Sequence, residues 1–251
     1  MGKLDGKIAL ITGGSTGIGF STAERFLAEG VEHVFITGRR QQALDEAVKK
    51  LSSKHVTAVQ GDTSNFDDLD RLYSIIKKEK GHLDIIFANA GGGAFVALGS
   101  ITEKYFDDTF NSNVKGVLFT VQKALPILKD GASIILNGSI ASMKAIPAFS
   151  VYCATKAALR SFARCWSVDL KERKIRVNVV SPGPIDTPGL AGLAKSEEET
   201  KAMADTFASQ AVLNRLGTPD EIAKVVVFLA SDDSSYVTGI ELFVDGGTAQ
   251  I

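Results

Sequence analysis

Tyr152 and Lys156 stand four residues apart in Tyr152-Cys153-Ala154-Thr155-Lys156, with Asn113 and Ser139 upstream. On a helix, residues i and i+4 share a face, so the Lys156 ammonium can lie close to the Tyr152 phenol. A tyrosine with its ordinary pKa of about 10 is a poor proton shuttle at neutral pH. A fixed positive charge beside it favours the phenolate and lowers that pKa. General acid–base chemistry works best when the pKa lies near the working pH. The spacing therefore has a chemical reason. A helix with a core tyrosine and a surface lysine gives the same string, so the pair needs support from elsewhere in the chain. Cys153 points away from Tyr152 on such a helix and is given no chemistry.

A second set of residues suits phosphate. Thr12-Gly13-Gly14-Ser15-Thr16-Gly17-Ile18-Gly19 follows a predicted strand and opens a predicted helix. The glycines permit a tight turn and close backbone approach to a pyrophosphate, and the helix N-terminus supplies N–H donors and positive dipole. The spacing, Gly-x-x-x-Gly-x-Gly, differs from the general dinucleotide fingerprint, and a glycine turn that serves packing alone is the alternative. The next strand ends Ile36-Thr37-Gly38-Arg39-Arg40. Enzymes that take NAD place Asp or Glu here for the ribose hydroxyls. Guanidinium groups instead bind a 2′-phosphate through charge-assisted, often bidentate hydrogen bonds. This predicts NADP(H) over NAD(H), with Arg39 as the main contact. Arg40 reads either as a second contact or as a surface charge.

Short apolar runs that alternate with amphipathic stretches must position these residues. Strands are predicted at Ile8–Ile11, Val34–Thr37, Val56–Gln60, Ile85–Ala88, Ser133–Asn137, Arg176–Ser181 and Glu241–Val244. They are β-branched and mostly apolar without alternation, as parallel strands covered on both faces read. Helices are predicted at Ile18–Glu29, Gln41–Leu51, Phe66–Lys80, Glu103–Lys129, Val151–Arg173 and Pro219–Ala230. Repeated β-α units imply a single-domain, Rossmann-type α/β fold. Its doubly wound parallel sheet would have about seven strands, with helices on both faces. No linker divides the chain. The stretch 186–217 breaks the rhythm with Pro188, Gly189, Gly192 and Glu197-Glu198-Glu199. At the carboxyl end of a strand it reads as a substrate lid, or else as a solvated helical excursion.

The 251 residues suffice for one large domain, and 45 % are apolar, so a full core is available. Net charge is −1 with no charged block, which argues against nucleic acid or an anionic membrane as the main partner. No apolar run approaches the length of a transmembrane helix. The start lacks the apolar core of a signal peptide, and Gly6 stands where a myristoylation motif needs Ser or Thr. Cys153 and Cys165 fall on one predicted helix, separated by roughly 18 Å of rise, too far to bridge. A reducing cytoplasm fits. His33, His55 and His82 do not cluster in the sequence with Cys or carboxylates, so neither a metal site nor a His-based triad is expected.

Taken together, these residues resemble the short-chain dehydrogenase/reductase family in its compact form, over essentially the whole chain. Gly13, Ser15, Thr16, Gly17, Ile18 and Gly19 match its cofactor loop. Asp62 and Thr63 in Gly61-Asp62-Thr63 look like the residues at the adenine. Asn89-Ala90-Gly91 matches the motif that ends strand four beside the cofactor. Asn113, Ser139, Tyr152 and Lys156 match the catalytic tetrad in order and spacing. Pro182, Gly183, Ile185 and Thr187, in Ser181-Pro182-Gly183-Pro184-Ile185-Asp186-Thr187, look like the turn that closes on the nicotinamide, and Asp245-Gly246-Gly247 like the usual C-terminal turn. The resemblance implies that Tyr152 exchanges a proton with the substrate oxygen. Lys156 would lower its pKa and bond the nicotinamide ribose. Ser139 would bond the substrate oxygen, and Asn113 would hold a water in a proton path. The milder readings are that Ser139 ends a strand and that Asn113 bonds only backbone within its helix.

Family analogy places Gly92, Gly93, Phe95, Ile140, Ala141, Ser142, Met143, Ala145, Pro147, Phe149 and Pro184 around the substrate, with Leu190, Leu193, Met203 and Phe207 added by a lid. This set is mostly apolar, and Lys144 is its only cation. It predicts a small neutral ketone, aldehyde or secondary alcohol, unless these residues are simply core. The family often assembles as tetramers. Apolar residues on more than one face of two helices (Val117, Leu118 and Val121; Phe162, Trp166 and Leu170) fit that. The tail from Thr248 to Ile251 is apolar enough to dock at a subunit contact, and in some relatives this region holds magnesium, for which Gln250 is the candidate. The rivals are a 3-oxoacyl-[acyl-carrier-protein] reductase, a glucose 1-dehydrogenase and a non-catalytic dinucleotide-binding sensor. The first would favour a basic surface, and none stands out. A sugar site would need more hydrogen-bonding groups. Sensors of this kind usually lose the Tyr or the Lys, and both are intact.

Overall fold

The structure, a computed structural model, describes residues 2–249. Seven strands form one parallel sheet in the order β3-β2-β1-β4-β5-β6-β7: β1 (Ile8–Thr12), β2 (His33–Gly38), β3 (Val56–Gln60), β4 (Leu83–Ala88), β5 (Leu128–Asn137), β6 (Arg176–Pro182) and β7 (Glu241–Val244). The helices are α1 (Gly17–Ala28), α2 (Gln41–Leu51), α3 (Phe66–Glu79), α4 (Glu103–Phe110), α5 (Gly116–Ala124), α6 (Ser150–Asp169), α7 (Pro188–Ala191), α8 (Glu197–Gln210) and α9 (Pro219–Ala230).

The inner strands are buried on both faces because successive side chains point to opposite sides of a sheet, while the edge strands β3 and β7 are only partly buried. Leu10, Phe35, Ile86, Ile134 and Val177 enter one core layer with α3, α5 and α6. Ala9, Ile11, Ile36, Ile85, Phe87 and Val180 enter the other with α1, α2 and α9. That is why the strands read as unbroken apolar runs. Each large aliphatic side chain so buried contributes roughly 1.5–3 kcal/mol. The start of α9 is set locally: Pro219 sits in its first turn, and Thr218 and Glu221 form a capping box.

Three elements depart from the sequence expectation. The long helix expected at Glu103–Lys129 is α4, a π-helical turn at Asn111–Lys115, and α5. Such a turn carries one extra residue within the helix, and it turns Asn113 inward to full burial. Pro126 then cannot continue α5, and the chain enters β5 at Leu128. β5 itself begins five residues before the expected Ser133. Its pairing with β4 shifts between Leu83 and Ile85, which leaves Lys129-Asp130-Gly131 exposed and polar, unlike a strand. Finally, α6 ends at Asp169, and only a short 3₁₀ turn, Lys171–Arg173, follows.

Candidate active site

The carboxyl ends of the strands open onto a cleft of about 1310 Å³. It lies where β1 and β4 are neighbours and the strand order reverses, the usual crevice of doubly wound sheets. Gly13 and Gly17 have φ of +64° and +55°, a region glycine enters without strain. A Cβ on Gly19 would lie 2.2 Å from the Gly13 carbonyl oxygen, so α1 starts hard against the turn. Gly19 is thus a packing residue: it does not line the cleft, whereas Gly13, Ser15, Thr16, Gly17 and Ile18 do. Asn89 clamps the turn. Its Nδ2 donates to the carbonyls of Thr12 and Gly13 at 2.9 and 3.1 Å, and its Oδ1 accepts from Asn137 Nδ2 at 2.9 Å. The N–H groups of Asn89 and Ala90 both donate to Thr12 Oγ1.

At the far end of the cleft, Arg39 and Arg40 are exposed and line its wall beside Gly38, Asp62 and Thr63. Neither arginine is held by a carboxylate among the described residues. Asp62 is fixed by Ser64, whose N–H and hydroxyl donate to its Oδ1 at 2.9 and 2.7 Å. Pro182, Gly183, Ile185 and Thr187 line the opposite side. Gly183 is pressed on the C-terminal turn, since a Cβ there would lie 2.7 Å from Asp245 Cα.

At the other end, α6 presents Tyr152 and Lys156 on one face. The Lys156 ammonium is buried, donates to the Asn137 carbonyl at 2.6 Å, and lies 5.4 Å from the centroid of the Tyr152 ring. Tyr152 hydrogen-bonds Ser139. Ser139 Oγ also accepts the Ala141 N–H at 3.1 Å, and the Ser139 N–H donates to Ser181 Oγ at 3.1 Å. Asn113 brackets the Gly92 peptide: its Oδ1 accepts the Gly92 N–H at 3.0 Å and its Nδ2 donates to the Gly92 carbonyl at 2.8 Å. The same Nδ2 donates to Thr155 Oγ1 at 3.1 Å. Asn113 therefore bonds backbone of a neighbouring loop rather than its own helix. Ser139 and Tyr152 line the cleft, while Asn113 and Lys156 stand behind it.

The electrostatics correct one expectation. Burial pushes the Tyr152 phenol up to about 12, and its hydrogen bond with Ser139 only partly opposes this. Burial also lowers Lys156 to about 8. The Lys156 ammonium, held at the Asn137 carbonyl, does not offset the desolvation of the phenol. Burial raises the Cys153 thiol too, which disfavours its reactive thiolate.

Around the substrate end, Phe95, Phe149 and Tyr152 form an aromatic ladder with centroid separations of 4.6 and 4.5 Å. Gly93 allows this closeness, since a Cβ there would lie 2.6 Å from the Tyr152 ring. Gly92, Ile140, Ala145, Pro147, Pro184, Leu190, Leu193 and Phe207 line the cleft as expected. Ala141, Ser142, Met143 and Met203 do not. The Ser142 hydroxyl is taken by Glu241, and Met143 turns to the surface. Tyr105, Asp108, Ser112, Asn137, Gln210 and Thr248 also line the cleft and were not expected. They make its wall more polar than the sequence suggested. Of these, Asn137 had a signal, because it ends a strand two residues before Ser139. Lys144 donates to the Thr248 carbonyl at 2.8 Å. Gln250 and Ile251 lie outside the described residues. His82 does approach a carboxylate, Asp84, at 3.3 Å, yet no cluster with the makings of a metal site occurs among the described residues.

A sequence model of the family described as enoyl-(acyl carrier protein) reductase matches residues 13–249. An oxidoreductase of Sarocladium schorii, asL5, is 49 % identical over 99 % of this chain and 98 % of its own. The tetrahydroxynaphthalene reductase of Pyricularia oryzae is 34 % identical over 98 % of this chain and 90 % of its own. The chain belongs to the short-chain dehydrogenase/reductase family. The solved short-chain dehydrogenase/reductase of Serratia marcescens superposes with a TM-score of 0.90 at 29 % identity, covering 98 % of this chain and 99 % of that one. The protein is accordingly an oxidoreductase that acts on carbonyl or alcohol groups with a nicotinamide dinucleotide, and no helix among its described residues is long and apolar enough to cross a membrane.

Proposed function

We propose that this protein is an NADP(H)-dependent ketoreductase for neutral ketones and aldehydes. The observation that carries the reading is the joint placement of Ser139 and the Tyr152 phenol at the apolar end of a cleft whose other end bears Arg39 and Arg40. The glycine turn, closed by Asn89 and free of side chains where φ is positive, fits a pyrophosphate. Asp62, Thr63, Ala90 and Gly91 would hold the nucleoside, with Pro182, Gly183, Ile185 and Thr187 beside the nicotinamide. When bound, the cofactor supplies the hydride.

The chain's own residues do the rest. Tyr152 holds a proton at its phenol oxygen through neutral pH and delivers it to the carbonyl oxygen as that oxygen gains charge. Ser139 Oγ bonds the same oxygen and fixes its angle. Lys156 keeps a buried positive charge behind the phenol, and Asn113 fixes the Gly92 loop and the helix carrying Tyr152 relative to one another. The ladder of Phe95 and Phe149 favours a substrate with a flat apolar body. Relatives named as tetrahydroxynaphthalene and versicolorin reductases support that preference.

The segment 186–217 is proposed as a lid. Leu190, Leu193 and Phe207 reach the cleft from it, yet α8 has no fully buried residue to tie it down. Two cysteines that share α6 without pairing suit a reducing cytoplasm. A homotetramer through α5 and α6 is also proposed, on the partly buried Phe162, Trp166 and Leu170. Light scattering should return about four times the chain mass, and a monomer would refute this.

NADPH oxidation against a panel of aryl and alkyl ketones, β-ketoesters, carrier-bound β-ketoacyl groups and sugars tests the main reading. Turnover on neutral ketones is expected to exceed that on glucose, since the wall beside Ser139 and Tyr152 is built from Phe95, Ile140, Phe149, Pro184, Leu190 and Leu193. Activity confined to sugars would overturn it.

A further inference from the structure

A charged cluster with a buried carboxylate and a half-buried guanidinium lies behind Ser139 and belongs to none of the roles above. Glu241 opens β7, with its side chain only 7 % exposed. Its Oε1 accepts from the hydroxyls of Ser142 and Ser181, the latter at 2.6 Å. Its Oε2 is ion-paired with Arg160 Nε, the two not being aligned for a hydrogen bond. Ser181 has one hydroxyl proton, and it points at Glu241. The lone pairs of Ser181 are thereby turned to the Ser139 N–H, which donates to them at 3.1 Å. The contact is close: a Cβ on Gly138 would lie 2.3 Å from Ser181 Oγ, so the backbone before Ser139 is seated on that hydroxyl. Arg160 stands one helical turn beyond Lys156 and two beyond Tyr152 on α6.

One carboxylate thus joins the strand under Ser139, the 3₁₀ turn that follows Ser139, and the helix that carries the phenol. We infer that Glu241 and Arg160 are positioning residues for the reaction, setting the distance and angle between Ser139 and Tyr152. The inference rests on the ketoreductase reading. A carboxylate accepts from both serines on one oxygen and faces Arg160 with the other; an amide has a single accepting oxygen, so it cannot hold the two hydroxyls and the guanidinium at once. Stability alone gives little reason for ions here, because Glu241 must give up its water to sit in this place, and replacing a desolvated pair with apolar groups is often neutral or stabilising.

That difference provides the test. Glu241→Gln, Arg160→Met, Arg160→Lys and the double variant Arg160→Met/Glu241→Leu are compared with the parent. The readouts are thermal midpoint, NADPH affinity, kcat and KM on the best ketone, the pH profile of kcat, and hydrogen exchange of the Ser139 amide without cofactor. Glu241→Gln should lower kcat on the order of tenfold, the scale of a sub-ångström misplacement of reacting groups. KM and NADPH affinity should hold within about twofold while Ser139 exchange speeds up. Arg160→Lys should recover part of the lost kcat. The double variant should regain the parental midpoint but not the parental kcat or pH profile. A double variant with parental midpoint and parental kcat would overturn the inference, and so would Glu241→Gln with faster Ser139 exchange but unchanged kcat. A parent that turns over no ketone overturns the ketoreductase reading, and this inference with it.

Discussion

Tyr152→Phe will lower kcat for ketone reduction by about 10²–10⁴-fold while leaving NADPH affinity within a few-fold of the parent. The substitution removes only the phenol oxygen, so the ring contact with Phe149, at 4.5 Å, and the fit against Gly93 survive. What is lost is the proton that must reach the substrate oxygen. Because burial raises the phenol to about 12, it carries that proton throughout the neutral range. Lys156 titrates first, near about 8, since burial weakens its hold on its own proton. The sign follows: reduction needs the protonated phenol and the charged ammonium, so kcat should be level below this region and fall as pH rises through it. Steady-state rates in a constant-ionic-strength buffer series check both statements. A phenylalanine variant with most of the parental kcat would remove Tyr152 from the chemistry.

Arg39→Ala will raise KM for NADPH by about ten- to a hundredfold, the worth of one charge-assisted hydrogen bond to a phosphate, and leave KM for NADH nearly unchanged. The reason is local. β2 ends in Gly38 with no carboxylate to meet ribose hydroxyls, and Arg39 is exposed on the cleft wall with no competing acidic partner among the described residues. Arg39→Asp should go further and invert the preference, because a carboxylate repels a 2′-phosphate and accepts from a 2′-hydroxyl. Salt should weaken NADPH binding to the parent more than to either variant, since the contact is partly exposed and ionic. Equal catalytic efficiency of the parent with NADPH and NADH would contradict the assignment.

The parts of this site that were legible in the sequence are those whose requirement is local. A turn with positive φ at Gly13 and Gly17 demands glycine at fixed spacing. Two residues on one helical face announce themselves four apart, as Tyr152 and Lys156 do. Doubly covered strands read as apolar runs, and all seven were found. Illegible were features decided by distant parts of the chain. The π turn at Asn111–Lys115 arises inside a stretch whose periodicity reads as one helix. Ser142 reads as a pocket residue until Glu241, far away in sequence, captures its hydroxyl. The direction of the Tyr152 shift depends on burial and on Lys156 reaching Asn137, neither of which a spacing contains. Tyr105 and Asp108 reach the cleft from a helix with no motif to mark them.

The double hold of Asn113 on the Gly92 peptide, together with the contact of Gly93 on the Tyr152 ring, divides the cleft for anyone who would redesign it. Residues 91–93 move only with α6 and the π turn, so a change of scope attempted there is a change of rate. Ala145, Leu190, Leu193 and Phe207 face the same space, and the N–H groups of Leu190 and Leu193 bond within their own segment rather than to α6 or the π turn. They form the wall at which new substrates can be admitted while the proton donor stays where it is.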